Sequence, residues 1–113
     1  MLMPFKSNIV KGTTAAAYAK AVIVDTRGCG YQGKTLFLIK NTGATNTIYY
    51  QINGYLADPS GTVGIPVAIK AQTSIGTSTL VTSTDTAQPY ASVQVLVQNN
   101  AGASTYQIDW CTY

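Results

Sequence analysis

Hydrophobic and polar residues alternate with a period of two along most of this chain. Ile48, Tyr50, Ile52 and Leu56 fall on one face of a segment whose other face carries Tyr49, Gln51, Asn53 and Tyr55. Val63, Ile65, Val67 and Ile69 alternate with Gly64, Pro66, Ala68 and Lys70. Val93, Val95 and Val97 alternate with Gln94, Leu96 and Gln98, and Tyr106, Ile108 and Trp110 alternate with Gln107, Asp109 and Cys111. Such alternation predicts strands with one face on a core. Leu36-Phe37-Leu38-Ile39 is apolar on both faces and predicts a central strand. Ala17 to Asp25 mixes alanines, which favour helix, with Val22-Ile23-Val24, which favours strand; it is read as a strand. Thr73 to Thr86 predicts one more strand flanked by loop.

Turn signals divide these runs at short intervals. They are Arg27-Gly28-Cys29-Gly30, Asn41-Thr42-Gly43, Asp58-Pro59-Ser60-Gly61, Gln88-Pro89 and Asn99-Asn100-Ala101-Gly102. Pro59 presets φ and Gly61 tolerates positive φ, so Asp58–Gly61 predicts a reverse turn. Asn99–Gly102 joins two alternating runs and predicts a hairpin. Pro66 inside a run predicts an edge strand or a bulge. About seven short strands in this spacing predict an all-β domain: a single antiparallel β-sandwich, Ig-like or jelly-roll, or a small flattened barrel. It is expected to occupy residues 12–113. Residues 1–11, with Pro4 and no helical spacing, are expected to form an extended N-terminal arm.

Composition narrows the function more than the fold. Of 113 residues only 10% are charged, where about 25% is usual. There is no Glu and no His. The acids are Asp25, Asp58, Asp85 and Asp109; the bases are six lysines and Arg27, for a net charge of +3. No His-based triad, His metal site or Glu general acid can be assembled from this set. The four Asp read as solvated or turn-capping residues, no clustered carboxylates suggest calcium, and Gly28-Cys29-Gly30 lacks the features of a phosphate loop. No enzyme activity and no cofactor are expected. The charge excess is too small to make nucleic acid the default partner. No apolar run is long enough to span a bilayer, and the first eight residues lack a secretory apolar stretch. Cys29 and Cys111 are left open between a disulfide closing a long loop and two half-buried free thiols.

Two features point to contact rather than chemistry. Tyr49 and Tyr55 share the polar face of one strand and are candidates for surface aromatic contact, with cross-strand packing as the plain alternative. Trp110 alternates with Tyr106 and Ile108 and is assigned to the core. Solubility must rest on neutral side chains, including sixteen Thr, seven Ser, seven Gln and six Asn. A free domain of this size normally uses charge to resist association and to guard its sheet edges. A surface largely covered by other copies would remove that need.

Lys34–Gly43, then Thr47–Tyr55, and Val93–Gln98 followed by an Asn/Gly turn and a last strand, resemble the paired strands of small β-sandwich proteins of virions, such as the head-decoration (cement) proteins of tailed phages. The resemblance implies a non-enzymatic structural protein of a virion, present in many copies, with a terminal arm reaching a neighbour. The expected partners are copies of itself and a major capsid protein, with no membrane. Leu2, Met3, Phe5 and Ile9 are the expected subunit contacts of the arm. The alternative is a carbohydrate-binding or adhesion module that uses Tyr49 and Tyr55 on glycans.

Overall fold

The computed structural model describes residues 6–27, 35–85 and 90–112. Eight strands are present: β1 (Ser7–Thr13), β2 (Ala19–Asp25), β3 (Thr35–Asn41), β4 (Ile48–Tyr55), β5 (Val67–Ile75), β6 (Leu80–Asp85), β7 (Ser92–Asn99) and β8 (Thr105–Thr112). They form two four-stranded antiparallel sheets, in the order β1-β8-β3-β6 (sheet A) and β2-β7-β4-β5 (sheet B). No helix occurs among the described residues.

The pairing follows one rule. β1 pairs with β8, β2 with β7, β3 with β6 and β4 with β5. The chain is therefore one long antiparallel hairpin, bent at the β4–β5 connection and rolled up. Rolling adds the β8–β3 and β7–β4 pairs and closes the sandwich. This is the jelly-roll arrangement, and it decides between the sandwich topologies the periodicity allowed.

The core lies between the sheets. From sheet A come Phe37, Ile39, Tyr106 and Ile108; from sheet B come Val22, Val24, Ile48, Tyr50, Ile52, Ile75, Val93, Val95 and Val97. Each set sits at alternate positions of its strand, as a two-residue period requires. Tyr90, from the segment before β7, fills the space over Gly54, where a Cβ would stand 2.5 Å from its ring. The deeply buried amide of Asn41 is fully satisfied. Its Nδ2 donates to the carbonyls of Asn46 (2.8 Å) and Ile75 (3.2 Å), and its Oδ1 accepts from Ser104 Oγ (2.7 Å) and Gly43 N (3.0 Å). It ties three inter-strand connections together at one end of the sandwich.

Several local expectations change in this setting. Asn99–Gly102 is not a hairpin: β7 and β8 lie in different sheets, and the connection crosses between them. Alternation reports which residues share a face but not which sheet a strand joins. Val63–Pro66 is loop, and the strand begins only at Val67; β5 is an edge strand with register shifts against β4, consistent with Pro66 at its start. Leu56 is not on the core face, because β4 ends at Tyr55 and leaves Leu56 exposed. Residues 7–11, expected in the arm, belong to β1, which pairs with β8 from Ser7↔Cys111 to Thr13↔Thr105. The free hydrogen-bonding edge of β8 supplies a partner that the N-terminal sequence alone does not reveal. The Asp58–Gly61 turn is present, with Gly61 at φ +64°. The central position of β3 holds as well.

Candidate interaction surfaces

The two outer faces of the sandwich differ. Outward positions of sheet B include Tyr49, Gln51, Asn53 and Tyr55 on β4 and Ser92, Gln94 and Leu96 on β7. The β4–β5 loop folds over one end of this face. A Cβ on Gly61 would lie 3.3 Å from the Tyr55 ring and 3.4 Å from both Ile23 and Gln94. The loop buries Tyr55, whose hydroxyl accepts a bond from Gln94 Nε2 at 2.8 Å. Tyr55 is thus no surface aromatic, although it lies on the Tyr49 face as its alternation predicts. Tyr49 is half-buried near Tyr18, whose hydroxyl donates to Gln72 Oε1 at 2.7 Å. Burial, and secondarily Tyr49, raise the Tyr18 pKa. The two tyrosines do not form an open stacking platform.

Asp58 builds the covering loop. Its Oδ1 accepts from Ser60 N (3.0 Å) and Ser60 Oγ (2.7 Å). Its Oδ2 accepts from the backbone N–H groups of Thr62 (2.7 Å), Val63 (2.7 Å) and Gly64 (2.8 Å). These bonds, led by those from Ser60 and Gly64, hold the carboxyl far below its ordinary pKa. Ser92 Oγ donates to the Asp58 carbonyl (2.5 Å) and Lys20 Nζ to the Gly61 carbonyl (2.7 Å), which fastens the loop to β7 and β2. The turn-capping role of Asp58 is legible in sequence; its burial and its five donors are not. The loop holds its own apolar residues outward: Val63 is 90% exposed and Ile65 85%.

No described residue covers the outer face of sheet A in this way. Opposed outward residues run in rows across its strands: Ser7–Cys111–Leu36, Ile9–Asp109–Leu38–Thr82, and Lys11–Gln107–Lys40–Leu80. Ile9 is 58% exposed, Leu80 53%, and Leu36 and Leu38 are half-buried. Two adjoining depressions, of about 150 and 160 Å³, share Leu38 and Asp109. Leu36, Trp110 and Cys111 complete the first; Lys40, Leu80 and Gln107 complete the second. Asp109 accepts from Gln107 Nε2 at 2.9 Å through one oxygen. Trp110 packs against the core, as its alternation implied, and its buried Nε1 has no partner among the described residues. Cys111 is a free, half-buried thiol.

Of the expected arm contacts, Ile9 stands on this face; Leu2, Met3 and Phe5 lie outside the described residues, as does Cys29. Asp25 ends β2 and pairs with Arg27 at 2.8 Å, and the bond from the guanidinium lowers its pKa to about 2. No group of three metal-ligating side chains occurs among the described residues.

No protein-family model matches this sequence, and no curated protein is significantly similar to it. Solved structures do share the fold. A subunit described under "Bacillus endospore appendages form a novel family of disulfide-linked pili" is 14% identical with a TM-score of 0.55, over 96% of this chain and 86% of that one. The Yersinia pseudotuberculosis-derived mitogen is 14% identical with a TM-score of 0.61, over the same shares of the two chains. A capsid chain of the infectious bursal disease virus particle is 12% identical with a TM-score of 0.46; this chain covers 31% of its length. For the appendage subunit and the mitogen the likeness is one of fold.

Proposed function

We propose that this protein is a non-enzymatic structural subunit that works in many copies, as a component of a particle shell or a surface fibre; a virion decoration subunit is the specific form the sequence suggests. One observation carries the reading: the outer face of sheet A exposes Leu36, Leu38, Leu80 and Ile9 around Asp109, and none of the described residues lies over it. A sheet face built for water alternates apolar-in with polar-out. β3 departs from that rule, placing Leu36 and Leu38 outward beside Leu80 and Ile9. Scattered exposed hydrophobics need no explanation, whereas a contiguous patch on a small domain marks a contact surface.

The placement of charge supports the same reading. Lys11, Lys20 and Lys70 sit on the edge strands β1, β2 and β5. Charge there discourages uncontrolled edge pairing. The fold is shared with an endospore appendage subunit, a protein of disulfide-linked pili, and is compatible with such a role. Here Cys111 borders the uncovered face, within reach of whatever covers it.

The test is the native mass of the purified chain against concentration, by sedimentation velocity, with electron microscopy of the concentrated sample. Reversible growth into larger species is expected. A single monomeric species at every concentration would sink the proposal.

A further inference from the structure

The molecule carries an apolar projection on one side and an apolar groove on the other. We propose that the β4–β5 loop of one copy docks through Val63 and Ile65 into the groove on the outer face of sheet A of a second copy. This deepens the multi-copy reading and rests on it.

The projection is pre-organised. Asp58 gathers the N–H groups of Thr62, Val63 and Gly64 onto one carboxylate oxygen, and Lys20 holds the Gly61 carbonyl. Val and Ile are themselves stiff at χ1. Little freedom remains to be lost on binding, which removes a main cost of association. The groove matches in polarity. Its two adjoining depressions, open to solvent and bordered by Leu36, Leu38 and Leu80, offer apolar surface to branched aliphatic side chains.

Charge does not oppose the contact. The Asp58 oxygens face the loop's own N–H groups, so the projection presents no free carboxylate, and Lys70 follows it on β5. The groove centres on Asp109, whose second oxygen has no partner among the described residues. Lys40 closes the end away from Cys111, which gives the groove a direction. Projection and groove lie on opposite faces of the sandwich, so each docking event leaves one of each free. That is a heterologous contact, which propagates instead of closing into a dimer.

Complementation tests this with the full chain. Val63→Asp/Ile65→Asp removes the projection, and Leu38→Asp removes the groove. Each variant alone should sediment as a monomer, its self-association weakened by at least about tenfold. Mixed one to one, they should form a heterodimer and nothing larger, since one intact contact remains. Circular dichroism and thermal melts matching the wild type show that the variants fold. Should Leu38→Asp misfold, Leu80→Asp replaces it: Leu80 is exposed on the same groove, and the substitution should weaken association in the same way. Variants that assemble like the wild type, or folded variants whose mixture stays monomeric, overturn the docking while leaving the multi-copy reading intact. A wild type that is monomeric throughout overturns both.

Discussion

Asp58 shows how one side chain shapes a surface. Its carboxylate replaces the backbone partners that a tight loop lacks, and the loop can then stand off the sheet with Val63 and Ile65 in water. Its folded-state pKa lies below the unfolded value of about 3.9, so its contribution to stability is present above that pH and is lost as pH falls through the folded value. Asp25, lowered to about 2 by Arg27, acts in the same direction, though more weakly because the pair is exposed. The melting temperature is therefore expected to fall below about pH 4, and Asp58→Asn should flatten that acid limb while lowering stability at neutral pH. An unchanged acid limb in the variant would refute the assignment. Gly54 gives a steric counterpart. Alanine there would press its Cβ to 2.5 Å from the buried Tyr90 ring. Overpacking of this kind costs about 1–3 kcal/mol. At Gly76 the nearest atom would be 3.4 Å away, so Gly76→Ala should be close to neutral. Paired thermal melts separate the two.

At the scale of elements, β8 and β3 are the central strands of sheet A and β7 and β4 those of sheet B, each paired on both sides. Ile108 on β8 is fully buried between the two sheets. Ile108→Ala should cost about 2–5 kcal/mol, read from denaturant unfolding. Ile9→Ser on the edge strand β1 should leave folding stability nearly unchanged while weakening assembly. Much of this level was legible in sequence. The faces of β4, β7 and β8 follow from Ile48/Tyr50/Ile52, Val93/Val95/Val97 and Tyr106/Ile108/Trp110, because side chains in a strand alternate whatever surrounds it. Three positions were not legible. Tyr55 keeps its predicted face yet is buried, because a loop from elsewhere covers it. Val63 and Ile65 keep the alternation yet form no strand. Ser7–Lys11 look like a loose arm yet pair with β8, about 100 residues away in sequence. In each case the deciding partner lies outside any local window. Asn41 is a further instance: its Asn-Thr-Gly setting marks a turn, but only the fold makes it the buried tie between connections.

For the whole molecule, the contact proposed between copies is mainly apolar. Sulfate, which strengthens apolar burial, is expected to promote self-association in sedimentation experiments, and cooling is expected to weaken it. An assembly that dissolves as sulfate rises would point instead to an ionic contact. The sequence by itself determined that this is an all-strand domain poor in titratable groups, since alternation and composition are properties of the chain alone. Tertiary structure alone decided the rolled hairpin, the burial of Tyr55, the stance of the β4–β5 loop and the outward placing of Leu36 and Leu38 on sheet A. Those outcomes depend on which distant segments meet, and a two-residue period carries no information about distant partners.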